Sequence, residues 1–169
     1  VHSRAAEDKF VADGYGIDRR DVMYNDFVIA GPAADPARVK GGKDVIAAFK
    51  TIAASGAKFI SRGDNSGTDL MEKSYWKLAD SQPAAGKYIS AGLGMGEVLT
   101  MAAELQAYML TDRATFSAYK AKTGLAVLVE GDSRMYNPYG IIAVNPARHP
   151  GVNYKGAKLL IDWITSAEG

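Results

Sequence analysis

Residues 59–69 concentrate hydrogen-bond donors between a short apolar run and the expected start of a helix. Arg62 supplies one full positive charge on a planar fork that can meet two oxygens of an oxyanion at once. Ser66 and Thr68 add hydroxyl donors, and Gly67 lets the backbone approach a bound group. Unpaired N–H groups at the helix start and the helix dipole also favour negative charge. The pattern therefore predicts a small-anion site at Arg62, Ser66, Gly67 and Thr68.

A helix cap is the other interpretation of this segment. Ser66 is followed three residues later by Asp69, which resembles a capping box with Asp in place of Glu. A cap satisfies one or two of the free N–H groups and leaves others for a ligand, so both interpretations can hold together. The Arg-Gly-Asp string at residues 62–64 also matches a cell-adhesion tripeptide, but such short strings recur by chance.

A second glycine-rich stretch contains Gly92, Gly94 and Gly96 before an expected helix. The spacing differs from the G-x-G-x-x-G pattern of dinucleotide sites, so a nucleotide is not the favoured ligand. A helix start of this kind can still direct backbone N–H groups at an anion. Gly94 and Gly96 are therefore further candidates for the anion site.

Catalytic chemistry finds little support in the residues available. The chain has only His2 and His149 and no Cys, so a zinc site lacks its ligand set. Ser66 has no G-x-S-x-G setting, which argues against a serine triad. The alternative is a phosphate-handling enzyme, or another oxyanion-binding sensor domain, that uses the same anion site. The enzyme would need a base or metal beside Arg62, and Asp64 is the only neighbour that fits. We therefore predict no catalytic residue, no metal and no cofactor.

The composition of the chain argues against nucleic acid and membrane as partners. The 169 residues are 47% apolar and 23% charged, a balance typical of a folded domain. Lys and Arg number 20 against 19 Asp and Glu, for a net charge of +1 with the signs mixed along the chain, which argues against nucleic acid. No apolar run approaches the ~20 residues of a membrane span, so membrane insertion is not expected.

The anion segment must be positioned by alternating strands and helices. Strands are predicted at 22–30, 58–61, 109–111, 126–129 and 141–144, and helices at 5–12, 44–54, 68–79, 97–108, 114–121 and 154–165. This alternation predicts an α/β domain with mainly parallel sheets covered by helices, with ligands beyond the carboxyl ends of the strands. Trp76 and Trp163 fall in helical stripes, as does Leu160, which predicts packing rather than ligand stacking for all three.

Six sequence blocks occur in one order along nearly the whole chain: MYNDFVI (23–29), SRGDNSGT (61–68), GMG (94–96), AYMLTDR (107–113), LVEGD (128–132) and VNP (144–146). In these blocks the chain resembles the periplasmic tungstate-binding protein family of ABC importers. The resemblance implies a two-lobed, type II periplasmic-binding-protein-like fold. It also implies that Arg62 and Thr68 contact the oxyanion.

The resemblance further implies a periplasmic or other extracytoplasmic receptor that binds tungstate or molybdate and docks on an ABC importer permease. Its ligand is a small inorganic oxyanion rather than a cofactor, and it is not an enzyme. We assign residues 1–30 and 137–169 to a first lobe and residues 31–136 to a second, with the anion expected at the cleft.

The chain departs from the family pattern at three positions and in length. Asn65 stands where the family usually has a second Asp, Asp69 where it often has His, and Ala114 where it usually has Gly. The family also normally begins with a Thr/Ser-rich loop on its first strand and continues past the final helix. We therefore expect a fragment with an incomplete first lobe and an incomplete site.

Overall fold

A computed structural model describes residues 1–169 and divides them into two compact units. Unit 1 comprises residues 1–24 and 137–169, and unit 2 comprises residues 25–136. The elements are α1 (Arg4–Ala12), β1 (Gly16–Gly31), α2 (Val45–Ser55), β2 (Phe59–Ser61), α3 (Gly67–Ala79), β3 (Tyr88–Ser90), α4 (Met95–Leu105), β4 (Met109–Asp112), α5 (Arg113–Thr123), β5 (Ala126–Val129), a 3₁₀ turn (Ser133–Met135), β6 (Tyr136–Val144) and α6 (Tyr154–Ile164). The predicted α/β class is confirmed.

Residues 25–30 belong to unit 2, although the turn cluster at residues 31–36 led us to place them in the first lobe. The physical reason is burial. Phe27 and Ile29 are fully buried in one hydrophobic cluster of unit 2, and Val28 and Ala30 are fully buried in another. The strand thus enters the core of unit 2 before the turn begins.

The strands of unit 2 run in one direction except for β1. β1 pairs antiparallel with both β4 and β5, so β4 and β5 run parallel to each other. β2 and β3 pair in parallel, and a parallel bridge between Phe59 and Tyr108 links β2 to the start of β4. The strands joined through α3, α4 and α5 therefore have the predicted parallel direction, and the antiparallel pairings all involve β1.

The core of unit 2 lies on both faces of this sheet. Alternate residues of β1 enter different hydrophobic clusters, as the two-residue period of a strand requires. One cluster contains an aromatic group in which the rings of Phe49 and Trp76 lie 4.3 Å apart and those of Phe59 and Trp76 lie 5.0 Å apart. Trp76 is 4% exposed, so its predicted packing role is confirmed. These contacts fix α2 and α3 against the sheet.

Three strands of unit 2 lead into helices. β2 and β3 form a two-stranded sheet, which the bridge between Phe59 and Tyr108 links to β4 of the four-stranded sheet. β2 leads into α3, β3 into α4 and β4 directly into α5, each at the carboxyl end of the strand. β3 was not predicted, because it is only three residues long and none of them is fully buried. Its parallel pairing with β2 nevertheless sets the α4 start beside the α3 start.

Unit 1 contains α1, α6 and parts of β1 and β6, which pair with each other. β1 begins earlier than predicted and pairs with β6, and its charged Arg19 is bonded to the buried Glu7 at 2.9 Å. On α6 only Ile161 is fully buried. The packing predicted for Leu160 and Trp163 is wrong, since they are 51% and 54% exposed and unit 1 does not cover that face of α6. None of the helices has the length and hydrophobicity that crossing a bilayer requires.

Candidate functional site

The start of α3 is capped, yet part of its first turn stays open. The Ser66 hydroxyl accepts a hydrogen bond from the Asp69 N–H at 3.4 Å, so the predicted cap is confirmed. The N–H groups of Gly67 and Thr68 cannot pair within the helix and have no other acceptor in the protein. The cap therefore leaves two N–H donors directed out of the helix start.

Asp69 holds the loop between β2 and α3 through hydrogen bonds to its carboxylate. Its carboxylate is fully buried and accepts hydrogen bonds from the Ser61 hydroxyl at 3.1 Å and the Asn65 N–H at 3.0 Å. Lys73 Nζ lies 2.6 Å from the same carboxylate. Burial raises the pKa of Asp69, but the bonds from Lys73, Asn65 and Ser61 outweigh it, so the pKa lies below its ordinary value. Asp69 is therefore ionised at neutral pH.

The β2–α3 loop and the β3–α4 loop are joined through backbone. The Arg62 carbonyl accepts hydrogen bonds from the N–H groups of Gly92 at 2.7 Å and Leu93 at 3.2 Å. Gly63 has a left-handed backbone with φ of 64°, and a Cβ there would lie 2.0 Å from the Ser90 hydroxyl. A glycine is thus required where the two loops meet.

The Arg62 guanidinium is oriented by Asp64. Nε and Nη2 of Arg62 both donate to Asp64 Oδ2, at 3.1 and 2.5 Å. Asp64 takes one edge of the planar group and leaves the Nη1 hydrogens and one Nη2 hydrogen for another acceptor. Burial raises the pKa of Asp64, but the hydrogen bonds from Ser66 and Arg62 lower it by a larger amount. The pKa therefore lies below its ordinary value. Asp64 is therefore a fixed carboxylate rather than a ready proton acceptor.

Thr68 occupies the second position of α3, and its side chain is 4% exposed. Its hydroxyl makes no hydrogen bond within the protein. Every fully buried side-chain oxygen or nitrogen in this structure has a hydrogen-bond partner, so the unpaired Thr68 oxygen is one that solvent can still reach. Thr68 thus offers both a hydroxyl and an N–H group beside the N–H group of Gly67.

The start of α4 offers a second set of N–H groups. Gly94 caps this helix, and its own N–H donates to Glu97 at 3.1 Å. The N–H groups of Met95 and Gly96, in the first turn, have no acceptor within the protein. Gly96 also has a packing reason to be glycine, because a Cβ would lie 2.3 Å from the Tyr119 hydroxyl. The absence of a side chain at Gly96 is thus explained by packing, and its N–H remains available to an acceptor.

The start of α5 differs from the other two. Asp112 caps α5, and its carboxylate accepts from the Thr115 N–H at 2.8 Å and the Thr115 hydroxyl at 2.6 Å. The Asp112 carboxylate occupies the cap position of α5, and its negative charge opposes a bound anion there. Sequence reasoning missed this distinction, although Asp112 directly before a helix is a recognisable capping signal.

Glu72 is a further carboxyl group that sequence reasoning missed. It is 2% exposed and lies one turn after Thr68 on the same helix face. Its Oε1 accepts from Trp76 Nε1 at 3.1 Å and from the Tyr88 hydroxyl at 2.7 Å. Burial raises the pKa of Glu72, and these hydrogen bonds only partly offset it. The pKa of this side chain therefore lies above its ordinary value.

Another group of cations lies elsewhere in unit 2, around a cavity of about 320 Å³ lined by Arg38, Lys40 and Lys43. The adjacent α2 start offers no free N–H groups. Asp44 accepts those of Ile46 and Ala47, and Asp132 accepts that of Val45. This cavity therefore has positive side chains but lacks the backbone donors found at the starts of α3 and α4.

Comparison with known proteins places the chain in a class and then in a family. Residues 1–168 match the family model of a PBP superfamily domain, so the chain belongs to that superfamily. It is 54% identical to the structure of the tungstate ABC transporter from Geobacter sulfurreducens, with a TM-score of 0.88 over 100% of this chain and 72% of that chain. The chain belongs to the periplasmic tungstate-binding protein family of ABC importers.

Two tungstate-binding proteins named TupA are also similar. The structure from Desulfovibrio alaskensis G20 is 47% identical, with a TM-score of 0.85 over 98% of this chain and 68% of that one. The protein from Peptoclostridium acidaminophilum is 48% identical over 98% of this chain and 59% of its own length. The present chain thus spans less than two thirds of that relative.

Proposed function

We propose that this chain is part of an extracytoplasmic solute receptor that binds tungstate or molybdate for an ABC importer. The observation that carries the proposal is the meeting of two helix starts with free N–H groups beside Arg62, in loops tied together by the Arg62 carbonyl. The receptor delivers the bound oxyanion to the importer's permease, in keeping with the family to which the chain belongs.

The chemistry of the cradle, which we define as Arg62, Ser66, Gly67, Thr68, Gly94 and Gly96 with the Met95 N–H, suits a tetrahedral dianion. Its free groups are donors: the backbone N–H groups, the Thr68 hydroxyl and the open edge of Arg62. Oxyanion oxygens are acceptors, and positively polarised helix starts stabilise their charge. Tungstate and molybdate have nearly equal size and charge, so we propose that the cradle accepts both. We further propose that units 1 and 2 are the two lobes of the receptor.

The alternative, a phosphate-handling enzyme that uses the same cradle, is less well supported. It requires a group that takes or gives a proton beside Arg62. Asp64 is held by Arg62 and by the Ser66 N–H, and its pKa is lowered. A carboxylate stabilised in this way is a weak general base, so binding accounts for the residues better than catalysis.

Thermal unfolding of the full-length protein with four oxyanions tests the proposal. Saturating tungstate or molybdate should raise the melting temperature, because a ligand at a hundredfold excess over its Kd stabilises the native state by about 2.7 kcal/mol. Sulfate and phosphate should have much smaller effects. An unchanged melting temperature with both metallates, or hydrolysis of a phosphoester that is lost in Asp64→Asn, would favour the enzyme.

A further inference from the structure

An ion pair between the buried Asp69 and the half-exposed Lys73 lies next to the cradle residue Thr68 on α3. Asp69 follows Thr68 in the first turn of α3, and its carboxylate has no exposed surface. Lys73, one turn later, places Nζ 2.6 Å from Asp69 Oδ2 while about half of its own side chain stays exposed. Neither side chain is needed to cap α3, because the Ser66 hydroxyl does so.

The negative charge of Asp69 is close to the groups that we propose to hold the anion. Its carboxylate bonds to the Asn65 N–H and the Ser61 hydroxyl, within the loop that carries Arg62. Charges in a buried position are screened little by salt, so an uncompensated Asp69 would repel a dianion in the cradle.

Lys73 supplies the charge that balances this carboxylate. Arg62 and Asp64 already form a pair of their own. With Lys73 present the two ion pairs of the loop, Arg62–Asp64 and Lys73–Asp69, sum to zero charge. Without Lys73 the same groups would carry one net negative charge.

We infer that Lys73 is a positioning residue for charge, which neutralises Asp69 so that the cradle accepts a dianion without Lys73 touching the ligand. The inference rests on the proposed function. Coulomb energy is proportional to the ligand charge, so loss of Lys73 should affect a dianion more than a monoanion of the same shape. A purely structural role would weaken both ligands equally.

The test is titration calorimetry of tungstate with variants of the full-length protein. Lys73→Gln should weaken tungstate binding about tenfold. The double variant Asp69→Asn/Lys73→Gln should recover most of that loss, because the charges balance again and the new amide oxygen can still accept from the Asn65 N–H that holds the loop. Lys77→Gln is the matched control. It removes the same charge from an exposed position one turn further along α3 and should change the Kd by less than about twofold.

Perrhenate, a tetrahedral monoanion, gives the second readout. Because the logarithm of the loss scales with ligand charge, Lys73→Gln should weaken perrhenate only about threefold where it weakens tungstate about tenfold. Parental tungstate affinity in Lys73→Gln would overturn the inference. A double variant that binds tungstate as weakly as Lys73→Gln would also overturn it. If Lys73→Gln does not fold, the tungstate Kd of the double variant is the deciding measurement. A parent that binds no tungstate would instead refute the proposed function.

Discussion

Arg62 meets the anion, in our account, with the edge of its guanidinium that Asp64 leaves open. Arg62→Lys keeps the charge but replaces two aligned donors with one, and hydrogen bonds to charged groups contribute roughly 1.5 to 3 kcal/mol each. We expect tungstate affinity to fall by tens of fold while the melting temperature without ligand stays close to the parent. Titration calorimetry measures the first and thermal unfolding the second. Equal binding by Arg62→Lys would mean that the anion lies elsewhere.

Variants at Thr68 and Ser66 test anion binding and helix capping separately within the same turn. Thr68→Val removes one accessible hydroxyl at nearly constant volume, and a loss of ~1.5 kcal/mol, about tenfold in affinity, is expected. Ser66→Ala removes the bond to the Asp69 N–H and should lower stability by ~1 kcal/mol even without anion. If both variants changed only the stability of the unliganded protein, the segment would be a cap alone.

The sequence identified donors near Arg62 but not their internal partners. The strand, loop, helix pattern and the serine at position 66 predict the cap and the open first turn from local spacing. Glu72 could not be recognised in the same way, because its environment depends on Tyr88, which reaches it through the pairing of β2 and β3. The Arg62–Asp64 pair is local, but its orientation depends on the loop geometry that Asp69 maintains.

At the scale of elements, the contact between the β2–α3 and β3–α4 loops should be sensitive to one methyl group. Gly63→Ala places a Cβ against the Ser90 hydroxyl in a left-handed conformation, so we expect a loss of about 1 to 3 kcal/mol in unfolding free energy, together with weaker tungstate binding. Gly92→Ala is the matched control, since φ is 68° there but no atom lies within 4 Å of the added Cβ. Denaturant titration compares them; a larger loss in Gly92→Ala would contradict the packing described.

Asp132 links the start of α2 to the 3₁₀ turn and should make stability depend on pH. Hydrogen bonds from Arg134 and from the Val45 N–H lower the pKa of Asp132 from 3.8 to about 2. They outweigh the effect of burial, which raises it. Because the folded pKa is depressed, this stabilisation is present above pH 3.8 and is lost as the pH falls towards 2. Unfolding free energies should therefore decline more steeply across this range in the parent than in Asp132→Asn. Parallel pH profiles would show that Asp132 contributes nothing.

The elements themselves were predicted where periodicity and caps are local. Helices α2 to α6 were all expected within a few residues of their observed bounds. β3 and the first part of β1 were missed for opposite reasons. β3 is too short to show a pattern, while residues 18–21 of β1 are a charged run that is held in unit 1 by the Arg19 pair with Glu7. Ion pairs between distant segments are not visible in a single sequence.

For the molecule as a whole, α6 presents an apolar surface. Leu159, Leu160 and Trp163 are each more than half exposed on this helix. Such a patch favours association, so we expect the 169-residue chain to sediment as a concentration-dependent mixture of monomer and larger species. Trp163→Glu should shift it towards monomer. If the unsubstituted chain stays monomeric at all concentrations, this surface of α6 does not mediate self-association.

The location of the anion is the central claim, and amide chemical shifts of the labelled full-length protein titrated with tungstate test it most directly. We expect the largest changes on the free N–H donors of the α3 and α4 starts, which are those of Gly67, Thr68, Met95 and Gly96. The Arg62 side-chain N–H resonances should move with them at the same tungstate concentration. Changes centred instead on residues 38–43, around the other cationic cavity, with the α3 and α4 starts unmoved, would contradict it.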